Sequence, residues 1–385
     1  MVRIKLTYLF TVIVSALLLI IGHTTAANGI PGFRNNRQEV VTAKVRGIVE
    51  HTRPEDGIDG PAAMLNDKIF FEAIISGGPR KGEVVTAIQN TAGFLPGSQK
   101  AVFRNASVLL INSNSEWYFN GFFRIHRLLG LALLFVLCVL VFGGAKGFNT
   151  VLSLGFTCTA IFAVFVPAIL SGKNIYAMSL LVCGYMTVMS PLIVIGYNKK
   201  SAASIAGCAG GLVISGIIAL IMDKALFLTG IVDEQSRYLV NLPGEIQLNL
   251  RAVIFAGILI GAMGAVMDVA ISMASALWEI KEKARTIGFR ELFRSGITIG
   301  RDIMGTMADT LILAYIGSSL TVVLILSVFS GSPLSLFNSE MIAVEIVQAL
   351  AGSFGILFAM PLTALFCSII YLKEKPLSNR QIPEQ

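Results

Sequence analysis

Charged side chains inside the apolar part of the chain are the first candidates for chemistry. Asp268 follows a row of glycines, Gly257, Gly261 and Gly264, and Ser272 lies four residues beyond it. In a helix this spacing places a carboxylate, a hydroxyl and a close-packing groove on one face. An ionisable residue within a membrane span is costly, so Asp268 predicts a functional site. A neutral acid that is hydrogen-bonded within a bundle is the structural alternative.

A second group of charges follows in the next apolar run. Arg301 and Asp302 are adjacent, and Asp309 lies seven residues after Asp302. Seven residues make two helical turns, so the two carboxylates share a face about 10 Å apart. Gly300 and Gly305 keep this helix slim, and we expect them, like the glycines before Asp268, to serve helix packing. Snorkelling to the membrane interface is the alternative for Arg301 and Asp302.

These residues favour ion coupling over other functions. We expect Asp268, together with Asp309, to take up H⁺ or Na⁺, and Arg301 to tune the local charge. The leading hypothesis is therefore an ion-coupled transporter or export component. The alternative is a non-catalytic envelope scaffold or assembly protein with a partner-binding outside domain.

An intramembrane aspartyl protease is a third class, since two carboxylates on neighbouring spans can share a proton. The GxGD and PAL strings are absent, and the chain has no HExxH or GxSxG motif. We therefore expect no enzymatic activity.

Composition sets the class of the protein. The 385 residues are 55% hydrophobic and only 14% charged, whereas soluble domains are roughly 25% charged. The net charge is +7, but the basic residues flank apolar runs, as in membrane proteins, and do not interleave with aromatics as in nucleic-acid binders. The five cysteines all lie in apolar runs, so we expect no disulfide, no metal site and no cofactor, but packed thiols.

The apolar runs predict an α-helical polytopic membrane protein with about eight transmembrane helices. They lie at residues 6–22, 128–143, 148–170, 175–197, 205–228, 252–277, 303–330 and 341–372. Residues 279–296 between the sixth and seventh runs predict a short amphipathic surface helix. The positive-inside rule places both termini in the cytoplasm.

Four segments follow from this topology. Residues 1–27 form an N-terminal anchor, for which a cleaved signal is the alternative. Residues 28–123 form an extracytoplasmic all-β domain, a small barrel or an OB-like module, because their apolar and polar residues alternate between Gly-containing turns. Residues 124–372 form a seven-helix bundle, and residues 373–385 a cytoplasmic tail. The expected partners are the lipid bilayer and a protein or substrate at the outside domain, and an oligomer is compatible with the pattern.

Three strings of the C-terminal half carry a family resemblance. They are GAVMDVAISMASALWEI, SGITIGRDIMGTMADTLILAYIGSSL and GSFGILFAMPLTAL. These strings resemble the signature segments of the YibE/F-like family of bacterial multi-pass membrane proteins. The resemblance implies the architecture and the bacterial plasma membrane, but little about function. Asp309 departs from the family pattern, in which we expect Asn.

A weaker similarity concerns mechanism. The order of three features is similar to the pattern in SecD/SecF-type exporters. These features are a Gly-rich helix that ends in an acid, a basic surface segment and a polar span. That similarity implies coupling of proton or sodium movement through intramembrane carboxylates.

Overall fold

The computed structural model describes residues 2–27, 39–52, 67–78, 80–91, 100–113, 115–232, 234–240, 248–284, 286–329 and 332–372. The chain divides into two compact units. One comprises Gly32–Val139, and the other comprises Met1–Pro31 with Leu140–Gln385. The predicted cytoplasmic tail, residues 373–385, lies outside the described residues.

The first unit contains a closed barrel of five strands, which confirms the small barrel expected from the alternating sequence. The strands are β1 (Val40–Thr52), β2 (Asp67–Ile75), β3 (Val84–Thr91), β4 (Ser107–Ser113) and β5 (Glu116–Phe122). Their order around the barrel is β1-β2-β3-β5-β4, and only the β3–β5 pairing is parallel. This order is typical of OB-type barrels.

Alternation along the strands fills the barrel core. On β1, Val41, Ala43 and Val45 are buried while Lys44 and Arg46 are exposed, as the two-residue period of a strand requires. Phe71 and Leu110 are also buried in this core, as are Trp117 and the amide side chain of Gln89.

The remaining structure is helical. Its helices are α1 (Val2–Ala27), α2 (Ile125–Thr159), α3 (Val166–Leu170), α4 (Ile175–Val194), α5 (Lys199–Ala225), α6 (Glu234–Val240), α7 (Leu250–Lys283), α8 (Phe289–Ser318), α9 (Leu320–Phe329), α10 (Pro333–Phe337) and α11 (Glu340–Leu372). A π-helical segment, Ala160–Phe165, joins α2 to α3.

Six helical segments are long and apolar enough to cross a membrane within the described chain, compared with about eight apolar runs in the sequence. The predicted second and third runs merge into one continuous stretch, Ile125–Leu170, of 46 residues. Within α2, the non-helical backbone angles lie at Gly144 (φ 53°, ψ −131°), a conformation that glycine adopts readily. At 1.5 Å per residue, 46 residues exceed the roughly 20 that one crossing requires.

The predicted seventh run, residues 303–330, is not one continuous helix over its described part, which ends at Phe329. It comprises the second half of α8 and then α9, with a break at Ser319. The predicted surface helix at residues 279–296 is likewise not a separate element, because its first residues end α7 and its last residues begin α8. Neither α8 nor α9 is therefore among the six candidate spans. Charged residues lower the mean hydropathy of α8, and α9 has only 10 residues.

Glycines allow close packing in the centre of the helical unit, where α5, α7 and α11 meet. A Cβ added at Gly211 of α5 would lie 2.7 Å from the Gly355 carbonyl oxygen and 2.8 Å from the Ala359 Cβ, both on α11. It would also lie 2.9 Å from the Val266 Cγ1 of α7. These backbones approach closely only because no side chain intervenes, as in other small-residue helix contacts.

Polar contacts fix one end of this group of helices. The Glu340 carboxylate at the start of α11 accepts hydrogen bonds from the backbone N–H groups of Thr229 (2.6 Å) and Gly230 (2.7 Å), in the loop after α5. Arg251 at the start of α7 donates two hydrogen bonds to Asp223 on α5, at 3.1 and 2.9 Å. Charge-assisted bonds of this kind are stronger than neutral ones.

Candidate functional site

Asp268 lies on a face of α7 that the other described helices leave open. The residues Ala262, Val266, Val269, Met273 and Leu277 are buried, at a spacing of three or four. On the opposite side, residues 257, 261, 264, 268 and 272 recur at the same spacing, and all are exposed. We call this surface the α7 open face: Gly257, Gly261, Gly264, Asp268 and Ser272.

Polar side chains, not apolar ones, approach the glycines of the α7 open face. A Cβ added at Gly257 would lie 3.6 Å from the Gln348 amide nitrogen of α11. A Cβ added at Gly261 would collide with the Tyr315 hydroxyl of α8. At Gly264 no described atom lies within 4 Å of that position. A row of polar groups thus leads along α7 to an open region just before Asp268.

The second charged group lies on α8, which is amphipathic. Leu292, Gly296 and Gly300 are buried on one side. Residues Thr298, Asp302, Gly305 and Asp309 recur on the other side at a spacing of three or four, and all are exposed. Because α8 is continuous from Phe289 to Ser318, Asp302 and Asp309 share one face of one helix. Arg301 is exposed beside them.

The contacts between α7 and α8 set the relative height of these groups. Tyr315 lies beside Gly261, whereas a Cβ added at Gly300 would be 3.1 Å from the Met273 Cε and one at Gly296 would be 3.1 Å from the Leu277 Cδ1. The two helices are therefore antiparallel, and Asp268 lies at the height of residues 305–308. Along the helix axis, it falls between Arg301 on one side and Asp309 on the other.

The charged residues share a region but do not pair. Arg80 pairs with Glu39 and Arg251 pairs with Asp223, whereas Asp268 has no described arginine or lysine within 4 Å. Gly300 packs against Met360, whereas an added Cβ at Gly305 would meet nothing within 4 Å. Within this chain, Gly264 and Gly305 thus contribute open space and not packing.

Two polar residues of this site were not predicted from the sequence. Tyr315 is the polar residue at the end of the apolar string LILAY, and its side chain is half-buried. Its contribution to the site depends on α8 crossing α7 at Gly261. Gln348 lies at a helical spacing of three or four residues in a series with Glu345, Gly352 and Gly355, but nothing in the sequence directs it to Gly257. A polar side chain in an otherwise apolar run is the one signal that was available.

Among the described residues, no three His, Cys, Asp or Glu side chains cluster closely enough to hold a metal ion. What the site contains is a carboxylate, hydroxyls, an amide and small residues along a helix face. Such groups can solvate a small cation or relay a proton, because their oxygens replace water.

Comparison with known proteins gives one match. A family model described as YibE/F-like protein matches residues 131–373. No curated protein and no solved structure matches the chain. The matched range begins inside α2, so it contains the α7 open face and the charged face of α8 but not the barrel. Because the match covers more than half of the chain, this multi-pass membrane protein belongs to the YibE/F-like family.

Proposed function

We propose that the protein is an ion-coupled transporter or export component, and that Asp268 is its ion-binding carboxylate. The observation that carries the proposal is the polar row on the α7 open face. Gln348 and Tyr315 approach Gly257 and Gly261, and the open region at Gly264 separates them from Asp268. A small cation or a proton entering along this row would meet oxygen and nitrogen groups before it reached the carboxylate.

The charged face of α8 supports the same proposal. Asp302, Asp309 and Arg301 are exposed, and charged side chains in contact with lipid tails cost several kcal/mol each. This face is therefore expected to line water or another protein surface. A water-lined flank beside the α7 open face would give ions access to Asp268.

The proposed setting is the bacterial plasma membrane, with both termini cytoplasmic and the barrel outside. Two observations support it: the family of the chain and the concentration of Lys and Arg in the segments assigned to the cytoplasm. This orientation counts the 46-residue stretch Ile125–Leu170 as two crossings and α8 as one further crossing. The Gln348–Tyr315 end of the row then faces outward, and the charged ends of α7 and α8 face the cytoplasm.

The experiment measures ion binding directly, because the transported substrate is unknown. The purified full-length protein, reconstituted in proteoliposomes on a solid-supported membrane, is subjected to a Na⁺ jump and, separately, to a pH jump. Wild type is expected to give a transient current with one of the two ions, because an ion that enters the site displaces charge across the membrane. Asp268→Asn is expected to abolish this current, because it removes the charge and keeps the shape.

Glu279→Gln is the matched control, since Glu279 is an exposed carboxylate eleven residues further along the same helix. It is expected to keep the wild-type current. A wild-type protein silent to both ions, or an Asp268→Asn variant with an unchanged current, would refute the proposal.

The second candidate function, an envelope scaffold, is favoured by one observation. The barrel is a compact unit with its own core, separate from the helical unit, as a partner-binding module would be. In that case crosslinking would recover a stable partner, and the Asp268→Asn variant would retain full biological activity.

A further inference from the structure

The barrel unit contains a cationic cavity that the proposed function does not use. Its volume is about 390 Å³, and it lies between the segment before β4 and the start of α2. Three of its side chains are permanent cations: Lys100, Arg124 and Arg127. None of its lining residues is acidic, and His126, Asn105 and Ser107 add hydrogen-bonding groups. A concave site with this lining suits an anion that accepts several hydrogen bonds.

The cavity wall is fixed before any ligand binds. The buried Gln89 side chain accepts a hydrogen bond from the Val102 N–H at 2.8 Å and donates one to the Lys100 carbonyl at 3.1 Å. Asn105 occupies the left-handed region (φ 66°), and its N–H donates to the Val45 carbonyl at 2.9 Å. These bonds hold the segment that carries Lys100 against the barrel, so little ordering is needed on binding.

The opposite wall is the beginning of α2. The Phe123 N–H donates to the Ser107 carbonyl at 2.8 Å, and Arg124 precedes the first residue of the helix. The N-terminus of a helix adds a partial positive charge to the same wall. Among the described residues, neither arginine of this wall, Arg124 or Arg127, has an acidic partner within ion-pair distance.

The surroundings indicate where the anion comes from. Immediately after the cavity, Leu128, Leu129 and Leu131 of α2 are each about 60% exposed, and the apolar run continues to Phe142. The cavity therefore lies where the chain enters the hydrocarbon layer, at the depth of lipid phosphates. Phe103, which is half exposed, contributes an apolar rim beside Lys100. Cations at this level attract anionic headgroups.

We propose that this cavity binds the phosphate group of an anionic phospholipid, with the acyl chains lying along α2. Lys100, Arg124 and Arg127 contact the phosphate, and Phe103 contacts the glycerol and upper acyl region. The inference does not depend on ion coupling at Asp268, and either proposal can fail alone.

The test uses full-length protein in a neutral detergent, titrated calorimetrically with dioctanoyl phosphatidylglycerol, dioctanoyl phosphatidylcholine or inorganic phosphate. Wild type is expected to bind the anionic lipid at least about tenfold more tightly than either other compound. The triple variant Lys100→Gln, Arg124→Gln, Arg127→Gln is expected to weaken that binding by about tenfold or more, since each cation near a membrane surface contributes to anionic-lipid attraction.

The matched control is the triple variant Lys44→Gln, Arg46→Gln, Lys81→Gln, which removes the same charge from exposed barrel positions outside the cavity. It is expected to bind like wild type, and gel filtration and thermal unfolding check that both triples fold. Equal losses in the two triples would refute the site in favour of general surface charge. Inorganic phosphate that bound as tightly as the lipid would refute the lipid as its source.

Discussion

Gly211 on α5 and Gly264 on α7 both lie in apolar helices, yet the space around the two glycines differs. An added Cβ at Gly211 would press on the backbone and side chains of two neighbouring helices, whereas one at Gly264 would meet open space. The difference separates glycines that let helices approach from a glycine that keeps a helix face empty.

A pair of alanine substitutions distinguishes the two roles. Gly211→Ala is expected to lower the melting temperature by about 1–4 °C, because overpacking a tight contact costs roughly 1–3 kcal/mol. Gly264→Ala is expected to leave it unchanged or raise it slightly, because alanine is the better helix former. Thermal unfolding of the full-length protein in detergent measures both. Equal shifts in the two variants would contradict the assignment.

At the same scale, sequence reasoning succeeded where a single helix settled the geometry. The sharing of one face by Asp302 and Asp309 follows from the helical period alone, and so does the alignment of Asp268 with Ser272. The approach of Tyr315 to Gly261, and of Gln348 to Gly257, depends on how three helices cross. No periodicity within one segment contains that information.

At the scale of elements, the loop after α5 depends on α11. The backbone N–H groups of Thr229 and Gly230 both donate to Glu340, and the Thr229 hydroxyl donates to the same carboxylate at 2.8 Å. One side chain thus satisfies three donors of a segment far from it in sequence.

Removing that acceptor is expected to release the loop. In Glu340→Ala, amide hydrogen exchange in residues 226–232 should accelerate by about tenfold or more, since hydrogen bonds to charged groups contribute roughly 1.5–3 kcal/mol. Hydrogen-exchange mass spectrometry of the full-length protein measures it. Glu345→Ala, five residues further along α11, is the control and should leave this peptide unchanged. Unaltered exchange in Glu340→Ala would show that the loop is held by other contacts.

Element boundaries were the weakest part of the sequence-based prediction. The sequence analysis separated the apolar runs 128–143 and 148–170, but the helix continues on both sides of Gly144 and only that residue leaves helical geometry within α2. Likewise, residues 303–330 form a long apolar run in which Gly317 lies just before the interruption at Ser319, and glycine is common inside the apolar runs of this chain. Hydropathy locates apolar segments well, but a single backbone break does not alter it.

At the scale of the whole molecule, α1 packs against and forms hydrogen bonds with residues that follow the barrel in sequence. The Lys173 ammonium donates to the Thr25 carbonyl at 2.6 Å, and the Ser171 hydroxyl donates to the Ala26 carbonyl at 2.6 Å. Ser15 is buried and hydrogen-bonded to Tyr185. A removable signal peptide has no need of such contacts.

We therefore expect α1 to remain in the mature protein as an anchor. The intact mass and the N-terminal sequence of the protein purified from membranes should include residues 2–27. A mature chain that begins after Ala26 or Ala27 would contradict this expectation, and the contacts of Lys173 and Ser171 would then belong to the precursor only.

The break at Gly144 has a practical consequence for the whole molecule. Cys138 and Cys158 are exposed and lie on either side of it, whereas Cys183, Cys208 and Cys367 are buried. In a straight helix their Cα atoms, twenty residues apart, would be separated by about 30 Å. Paired spin labels on these two native thiols would report any shorter distance. The angle at Gly144 can therefore be measured without introducing new cysteines.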